Sequence, residues 1–312
     1  MASYRNLNPE HRPATLGEVF RWAVVDKLRR RRKIQPAGRP AERVEADLAA
    51  IKNLTGPPRA SWIGHSSLLI SLAGRAVLID PVFADKVGLL YRRHVPPGLL
   101  PEDLPPLAAV LISHNHYDHL DLASLRVIPG GVPVAVPAGL AGDLRQKLQS
   151  SDSRELAGWD STRIGPLEVT FVPARHWSKR IGMGRNASLW GGYVIEANGV
   201  TLYHAGDSAW FDEGFAEIGR RFPDIDTAFI PIGAYTPAWF MEHHHLNPEQ
   251  AAEAFRIVGA RQLVPVHWGT FQMADESLRE PIERLQAWWD DAGLAPGRLL
   301  IPPIGGTDVL GV

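Results

Sequence analysis

The chain has no cysteine in its 312 residues. That excludes disulfides, thiolate zinc sites and a cysteine nucleophile, and it leaves only nitrogen and oxygen donors for any metal ion. Net charge is equally scarce. The 33 Lys and Arg are balanced by 34 Asp and Glu, −1 overall, so no global field draws the protein to nucleic acid or to an anionic membrane. No apolar run approaches the length of a membrane span. Residues 1–17 lack the apolar core of a secretory signal, and a cytoplasmic address is the expectation. What remains is the composition of a soluble globular protein, 45% apolar and 21% charged, with enough chain to bury a substantial core.

Residues 1–58 differ from the rest. Leu16, Val19, Phe20, Ala23, Val24 and Leu28 recur at helical spacing, which predicts a helix over about 16–32. It runs into the basic stretch Lys27-Leu28-Arg29-Arg30-Arg31-Arg32-Lys33. Two readings stand: a solvated helix end whose cations suit the C-terminal dipole, or peripheral contact with anionic headgroups. Residues 1–58 are therefore expected to form a basic helical extension packed on a main domain of 59–312. From about residue 59 short apolar runs separated by turns predict strands at 60–63, 67–72, 75–79, 108–112, 132–136, 167–172, 192–197, 200–204, 226–231 and 262–266. Helical spacing predicts helices at 121–127, 138–148, 211–221, 248–258 and 281–290. Ala73-Gly74 and Asn198-Gly199 read as hairpin turns. This order fits two sheets enclosed by helical layers.

The chemistry concentrates at His114-Asn115-His116-Tyr117-Asp118-His119, just past the apolar run AAVLIS. Imidazoles at i and i+2 leave the chain on one side, so His114 and His116 can bind one ion, while Asp118 and His119 reach a second. His176, Asp207 and His267 each follow a predicted strand in the same manner, and functional groups in sheet folds cluster on such loops. The set divides into His114, His116 and His176 for one ion and Asp118, His119 and His267 for the other, with Asp207 bridging. Imidazole and carboxylate donors suit two Zn(II) ions, and iron or manganese could use them too. Two such ions can share and activate a water, which makes Asp118 and Asp207 part of the catalytic set.

The strings WIGHSSLLI, LIDPVF, VLISHNHYDHLD, ARHWSKR, HAGDSAW, PIGAYTPAWFM and VPVHWGTF resemble, over residues 60–280, the N-acyl-phosphatidylethanolamine-hydrolysing phospholipase D family of the metallo-β-lactamase fold superfamily. The resemblance implies an α/β fold, an αβ/βα four-layer sandwich of two mixed sheets flanked by helices. It also implies a dinuclear zinc phosphodiesterase with a phospholipid substrate, and a homodimer. The segment 84–100 and the pair Asn247-Pro248 depart from the family pattern. Other substrates of the fold (lactones, β-lactams, other phosphodiesters) and a non-catalytic, metal-stabilised lipid-binding module are the alternatives, since fold alone does not choose. The balanced charge speaks against a nuclease.

Around the metals, Lys179 and Arg180 read as cations for a phosphate oxygen or as a surface pair. The resemblance places His245 at the reacting phosphate, as hydrogen-bond donor or proton source, and His243 and His244 are expected to be exposed. Asp80 reads as an acceptor that fixes a ligand histidine or as a turn cap, and His65 as packing beneath the site. Tyr235, Trp239, Phe240, Met241, Trp177, Trp190 and Trp268 read as walls of an acyl groove, with Tyr235 binding substrate, or as core.

Overall fold

The structure, a computed structural model, describes residues 3–7, 15–29, 33–88, 90–148 and 152–311. In chain order its strands are β1 (Arg59–Gly64), β2 (Ser67–Leu72), β3 (Arg75–Ile79), β4 (Lys86–Val87), β5 (Tyr91–Arg92), β6 (Leu107–Leu111), β7 (Val134–Pro137), β8 (Ser153–Leu156), β9 (Ser161–Ile164), β10 (Leu167–Pro173), β11 (Gly191–Ala197), β12 (Val200–His204), β13 (Thr227–Pro231), β14 (Gln262–Val266) and β15 (Thr307–Val309). The first sheet has the order β15-β1-β2-β3-β6-β7-β8 and the second β14-β13-β12-β11-β10-β9, while β4 and β5 pair alone. Both large sheets are mixed: β3, β6, β7 and β8 run parallel, as do β12, β13 and β14, and the remaining pairings are antiparallel.

Strand periodicity sorts the side chains into layers. In β2 and β3, Leu68, Ile70, Val77 and Ile79 face the core shared by the two sheets, whereas Leu69, Ala76 and Leu78 face the other way. Val110 of β6 and Val134 and Val136 of β7 join that outer cluster, with Leu125, Leu140 and Leu144. Leu125 lies on α4 (Leu122–Arg126) and Leu144 on α5 (Ala141–Leu148). The second sheet is covered by α6 (Asp212–Arg221), α8 (Pro248–Val258) and α9 (Glu280–Asp291), which bury Phe215, Ile218, Phe255, Leu285 and Trp289 in the main core. The result is the αβ/βα sandwich of the metallo-β-lactamase fold.

Local chemistry sets the boundaries. Ala73, Gly74, Asn198 and Gly199 all have positive φ, as two-residue hairpin turns require. Asn247 and Gln250 form a capping box at α8, Pro248 occupies its first turn, and Gly259 ends it at φ +74°. Every predicted strand is present, with ends moved by no more than about two residues. The short α3 (Leu48–Lys52) was not anticipated. Five strands are absent from the prediction: β4 and β5, two residues each, form a separate pair, and β8, β9 and β15 lie at the edges of the large sheets. There, SREL, STRI and TDV carry charge in place of apolar alternation, as edge strands do.

The N-terminal helix begins at a Thr15–Glu18 capping box with α1 (Leu16–Phe20), continues through a π-helical turn (Arg21–Val25) and ends with α2 (Asp26–Leu28). It is shorter than the predicted 16–32, and Arg30, Arg31 and Arg32 lie outside the described residues. Its Trp22 stacks on Phe240 at 5.0 Å, on the short α7 (Ala238–Met241) of the main domain. Val19 and Trp22 cluster with Ala234, Phe240, Met241 and Ala274.

Candidate metal centre

One edge of the sandwich gathers the strand ends. Asp80 follows β3, His114 stands three residues past β6, His176 three past β10, Asp207 three past β12, and His267 directly after β14. His65 occupies the turn between β1 and β2. Several of these turns are tight. Asp80, His65 and His267 have φ of +43°, +55° and +63°, a left-handed backbone that non-glycine residues adopt only when their surroundings enforce it. Before Asp207, Gly206 (φ +62°) lies so near the neighbouring strand that a Cβ there would meet the Gly191 carbonyl oxygen at 2.3 Å. Only glycine lets the loop pass at that distance.

The seven side chains expected as ligands come together. Nδ1 of His116 lies 2.9 Å from Nε2 of His114 and 3.1 Å from Nε2 of His176. Nε2 of His119 and Nε2 of His267 lie 3.5 and 3.4 Å from Oδ2 of Asp118. Oδ2 of Asp207 stands between the two groups, 3.2 Å from both His119 and His267 and 3.9 Å from both His114 and His176. His114, His116 and His176 form one set whose candidate donor atoms all lie within 4.8 Å of one another, and His65, Asp118, His119 and His267 form another. Two imidazoles around an ion bonded at 2.0–2.1 Å sit about 3.3 Å apart, close to the spacings seen.

Electrostatics and unpaired atoms favour cations here. Nε2 of His116, His119 and His267, Oδ1 of Asp207 and Nδ1 of His245 are buried without a hydrogen-bond partner, a state that native interiors rarely leave unexplained. Burial, then the adjacent histidines, hold His114 and His176 well below the ordinary imidazole range, and burial brings His116 to about 4 despite Asp118 and Asp207. These are neutral imidazoles ready to ligate. Burial would also lower His267 and His119, yet Asp207 and Asp118 overcome it and raise His267 to about 9 and His119 well above its usual value. The donor set therefore fits two divalent ions.

Supporting groups fix these rings. Asp80 accepts from the backbone N–H and hydroxyl of Ser113 at 2.7 and 2.6 Å and from Nδ1 of His119 at 2.8 Å. Of its two readings, the ligand-fixing one has this geometry. His65, expected beneath the site as packing, is buried there but also bonds Oδ2 of Asp118 through Nε2 at 2.9 Å. Its position in a strained turn after Gly64 was the available signal. His245 places Nδ1 3.8 Å from Oδ2 of Asp207, and its side chain is 15% exposed.

Three expectations require correction. His244 is not exposed: it is 3% accessible, and its carbonyl accepts from Nδ1 of His176 at 2.8 Å. Arg180 is not available to a phosphate. It is 6% exposed, donates to the carbonyls of Asn115 and Leu120 at 3.2 and 2.7 Å, and lies over the Tyr117 ring, bracing the 114–119 loop. Tyr235 does not line an open groove. It is 5% exposed, and its hydroxyl donates to Glu280 at 2.8 Å beneath Arg284. Trp190, Trp268, Phe240 and Met241 are buried as well, leaving Trp177 and Trp239 partly open, and Lys179 is exposed.

The chain belongs to the β-lactamase superfamily, whose domain matches residues 75–268. The class is that of the metal-dependent hydrolases of the metallo-β-lactamase fold. Within it, the chain is 34% identical over 247 residues to N-acyl-phosphatidylethanolamine-hydrolyzing phospholipase D 1 of Caenorhabditis elegans, an alignment covering 74% of this chain and 69% of that protein. An uncharacterized protein of Mycobacterium tuberculosis is 39% identical over 239 residues, covering 73% of this chain and 63% of the relative. The crystal structure of a possible metal-dependent hydrolase from Veillonella parvula shares the fold, with a TM-score of 0.67 at 19% identity over 82% of this chain and all of that one.

Proposed function

We propose that this protein is a two-zinc phosphodiesterase of the phospholipase D type, cleaving N-acyl-phosphatidylethanolamine or a related phospholipid to phosphatidate and an N-acylethanolamine. The observation that carries the reading is Asp207 standing between a three-histidine set and an Asp118–His119–His267 set. The similarity to the C. elegans phospholipase D supports the substrate class.

In this reading His114, His116 and His176 would hold one ion and Asp118, His119 and His267 the other, with Asp207 placed to serve both. Ions held there would lower the pKa of a shared water and neutralise charge on the phosphoryl oxygens. Nitrogen and oxygen donors suit zinc, with iron and manganese as possible substitutes. His245, the partly open ring beside Asp207, would hydrogen-bond the phosphate: burial lowers it to about 4 despite Asp207, which suits a neutral donor better than the alternative role of proton source. Lys179 supplies a cation at the rim.

The N-terminal helix would serve as the membrane contact. Phe20, Val24 and Leu28 are spaced four apart and exposed, with Phe20 at 59% and Leu28 at 78%. Arg21, Lys27 and Arg29 flank them, and Arg21 lies over the half-exposed Trp239 ring at 4.5 Å. Apolar side chains among cations suit an anionic bilayer surface. Among the described residues, no helix is long and apolar enough to cross a membrane.

The test is turnover of N-acyl-phosphatidylethanolamine vesicles by zinc-loaded protein, with both products followed by mass spectrometry. A second reading keeps the site and changes the substrate. The burial of Tyr235, Trp190 and Trp268 favours it, because those rings form no acyl groove. Release of product only from a lactone, a β-lactam or a simple phosphodiester would select it. Absence of turnover on every substrate, with chelation still lowering the melting temperature, would leave the lipid-binding module.

A further inference from the structure

His176 stands on a stretch that neither sheet nor helix supports. β10 ends at Pro173, and the chain then runs irregularly until β11 begins at Gly191. A backbone leaving a sheet must find other partners for its N–H and C=O groups. At His176 a single side chain supplies both, from 170 residues away. Nδ2 of Asn6 donates to the His176 carbonyl at 2.8 Å, and the His176 N–H donates to Oδ1 of Asn6 at 3.1 Å. The amide thus imitates the neighbouring strand that His176 lacks.

Asn6 is itself anchored. Its Oδ1 also accepts from Nε1 of the buried Trp190 at 3.2 Å, and two residues earlier the Tyr4 N–H donates to the Asn186 carbonyl at 2.9 Å. The His176 ring is then held from its far side by the His244 carbonyl on Nδ1. With backbone and ring both restrained, Nε2 is left facing Nδ1 of His116 and Oδ2 of Asp207.

We infer that Asn6 is a positioning residue of the metal centre: it fixes the His176 backbone so that Nε2 is preset for the ion shared with His114 and His116. This rests on the two-metal reading above. Groups that orient a ligand without touching the metal typically contribute 10- to 100-fold in affinity. The contribution should fall on one of the two sites, because Asn6 touches nothing in the Asp118–His119–His267 set.

The experiment measures Zn(II) retained per full-length chain after dialysis against a chelator-buffered zinc solution. Wild type, N6A, N6L and H116A are compared. Leu keeps the branched shape of Asn but is bulkier and lacks its hydrogen bonds, whereas Ala is smaller, so N6L and N6A together separate positioning from space filling. We expect two ions in wild type and one in each variant, with the affinity of the lost ion down about 10- to 100-fold in N6A and N6L. Far-UV circular dichroism and the melting temperature of the metal-free variants should match wild type. N6L retaining both ions overturns the inference, as does equal loss from both sites or a collapse of the metal-free fold in both Asn6 variants. Wild type retaining no zinc removes the two-metal reading instead, and the inference with it.

Discussion

Nδ1 of His119 donates to Oδ2 of Asp80 across 2.8 Å, and both side chains are fully buried. The bond fixes the tautomer of His119 and points its Nε2 at Asp118 and Asp207. Replacing Asp80 with Ala should lower zinc affinity about 10- to 100-fold. Competition with a chromophoric chelator measures it, and an unchanged affinity would refute the role given to Asp80.

In the proposed reaction His116 and Asp207 stand at the reacting centre, and neither belongs to a hydrophobic cluster. H116A and D207A should each lower kcat/KM by about 10²–10³-fold or more, the scale of losing one preorganised electrostatic group, while circular dichroism stays native. Activity within tenfold of wild type in D207A would remove the bridging carboxylate from the mechanism.

Metal loading should release protons. In the metal-free protein Asp207 and Asp118 overcome burial and raise His267 to about 9. A histidine with a raised folded pKa stabilises the fold fully below about 6.5, and that contribution disappears as pH climbs through about 9. The metal-free melting temperature should accordingly fall between those values. Zinc binding requires the deprotonated ring, so its affinity should rise over the same window. Calorimetry in buffers of differing ionisation enthalpy reads the released protons, and none at pH 7 would contradict the geometry.

Arg180 holds the carbonyls of Asn115 and Leu120, near the two ends of the ligand loop. R180A leaves both without their charged donor and should destabilise the protein by about 2–4 kcal/mol. R180K should rescue little of this, because an ammonium lacks the planar fork. Urea denaturation gives the number, and a loss below about 0.5 kcal/mol would refute the bracing role given to Arg180.

The double variant F20E/L28E should weaken binding to anionic vesicles by tenfold or more, since each exposed side chain could bury about 1.5–3 kcal/mol of apolar surface. Hydrolysis of a water-soluble diester should be unaffected. Vesicle sedimentation at equal affinity for both proteins would dismiss the helix as the membrane contact.

Interior strands and ligands were legible in the sequence for related reasons. Leu68 to Ile70 and Val77 to Ile79 alternate between two buried layers, and each ligand follows such a run, so one pattern marks both. Edge strands such as β8 and β9 answer to a single neighbour and to solvent, and charge hides them. Arg180 was misread because adjacent Lys and Arg in a loop do not reveal which one turns inward. Asn6 and His244 left no local trace at all. One acts across 170 residues through an amide, the other through a carbonyl that every residue possesses.

The left-handed backbone at His65, Asp80 and His267 has a broader implication. Each such turn stores on the order of 1–3 kcal/mol, and glycine would relax it, yet imidazole and carboxylate occupy all three. Part of the cohesion of both sheets is thus committed to keeping reactive groups in shapes they resist. Damage far out in the scaffold should for this reason be felt early as a loosened grip on the ions, before the protein as a whole gives way.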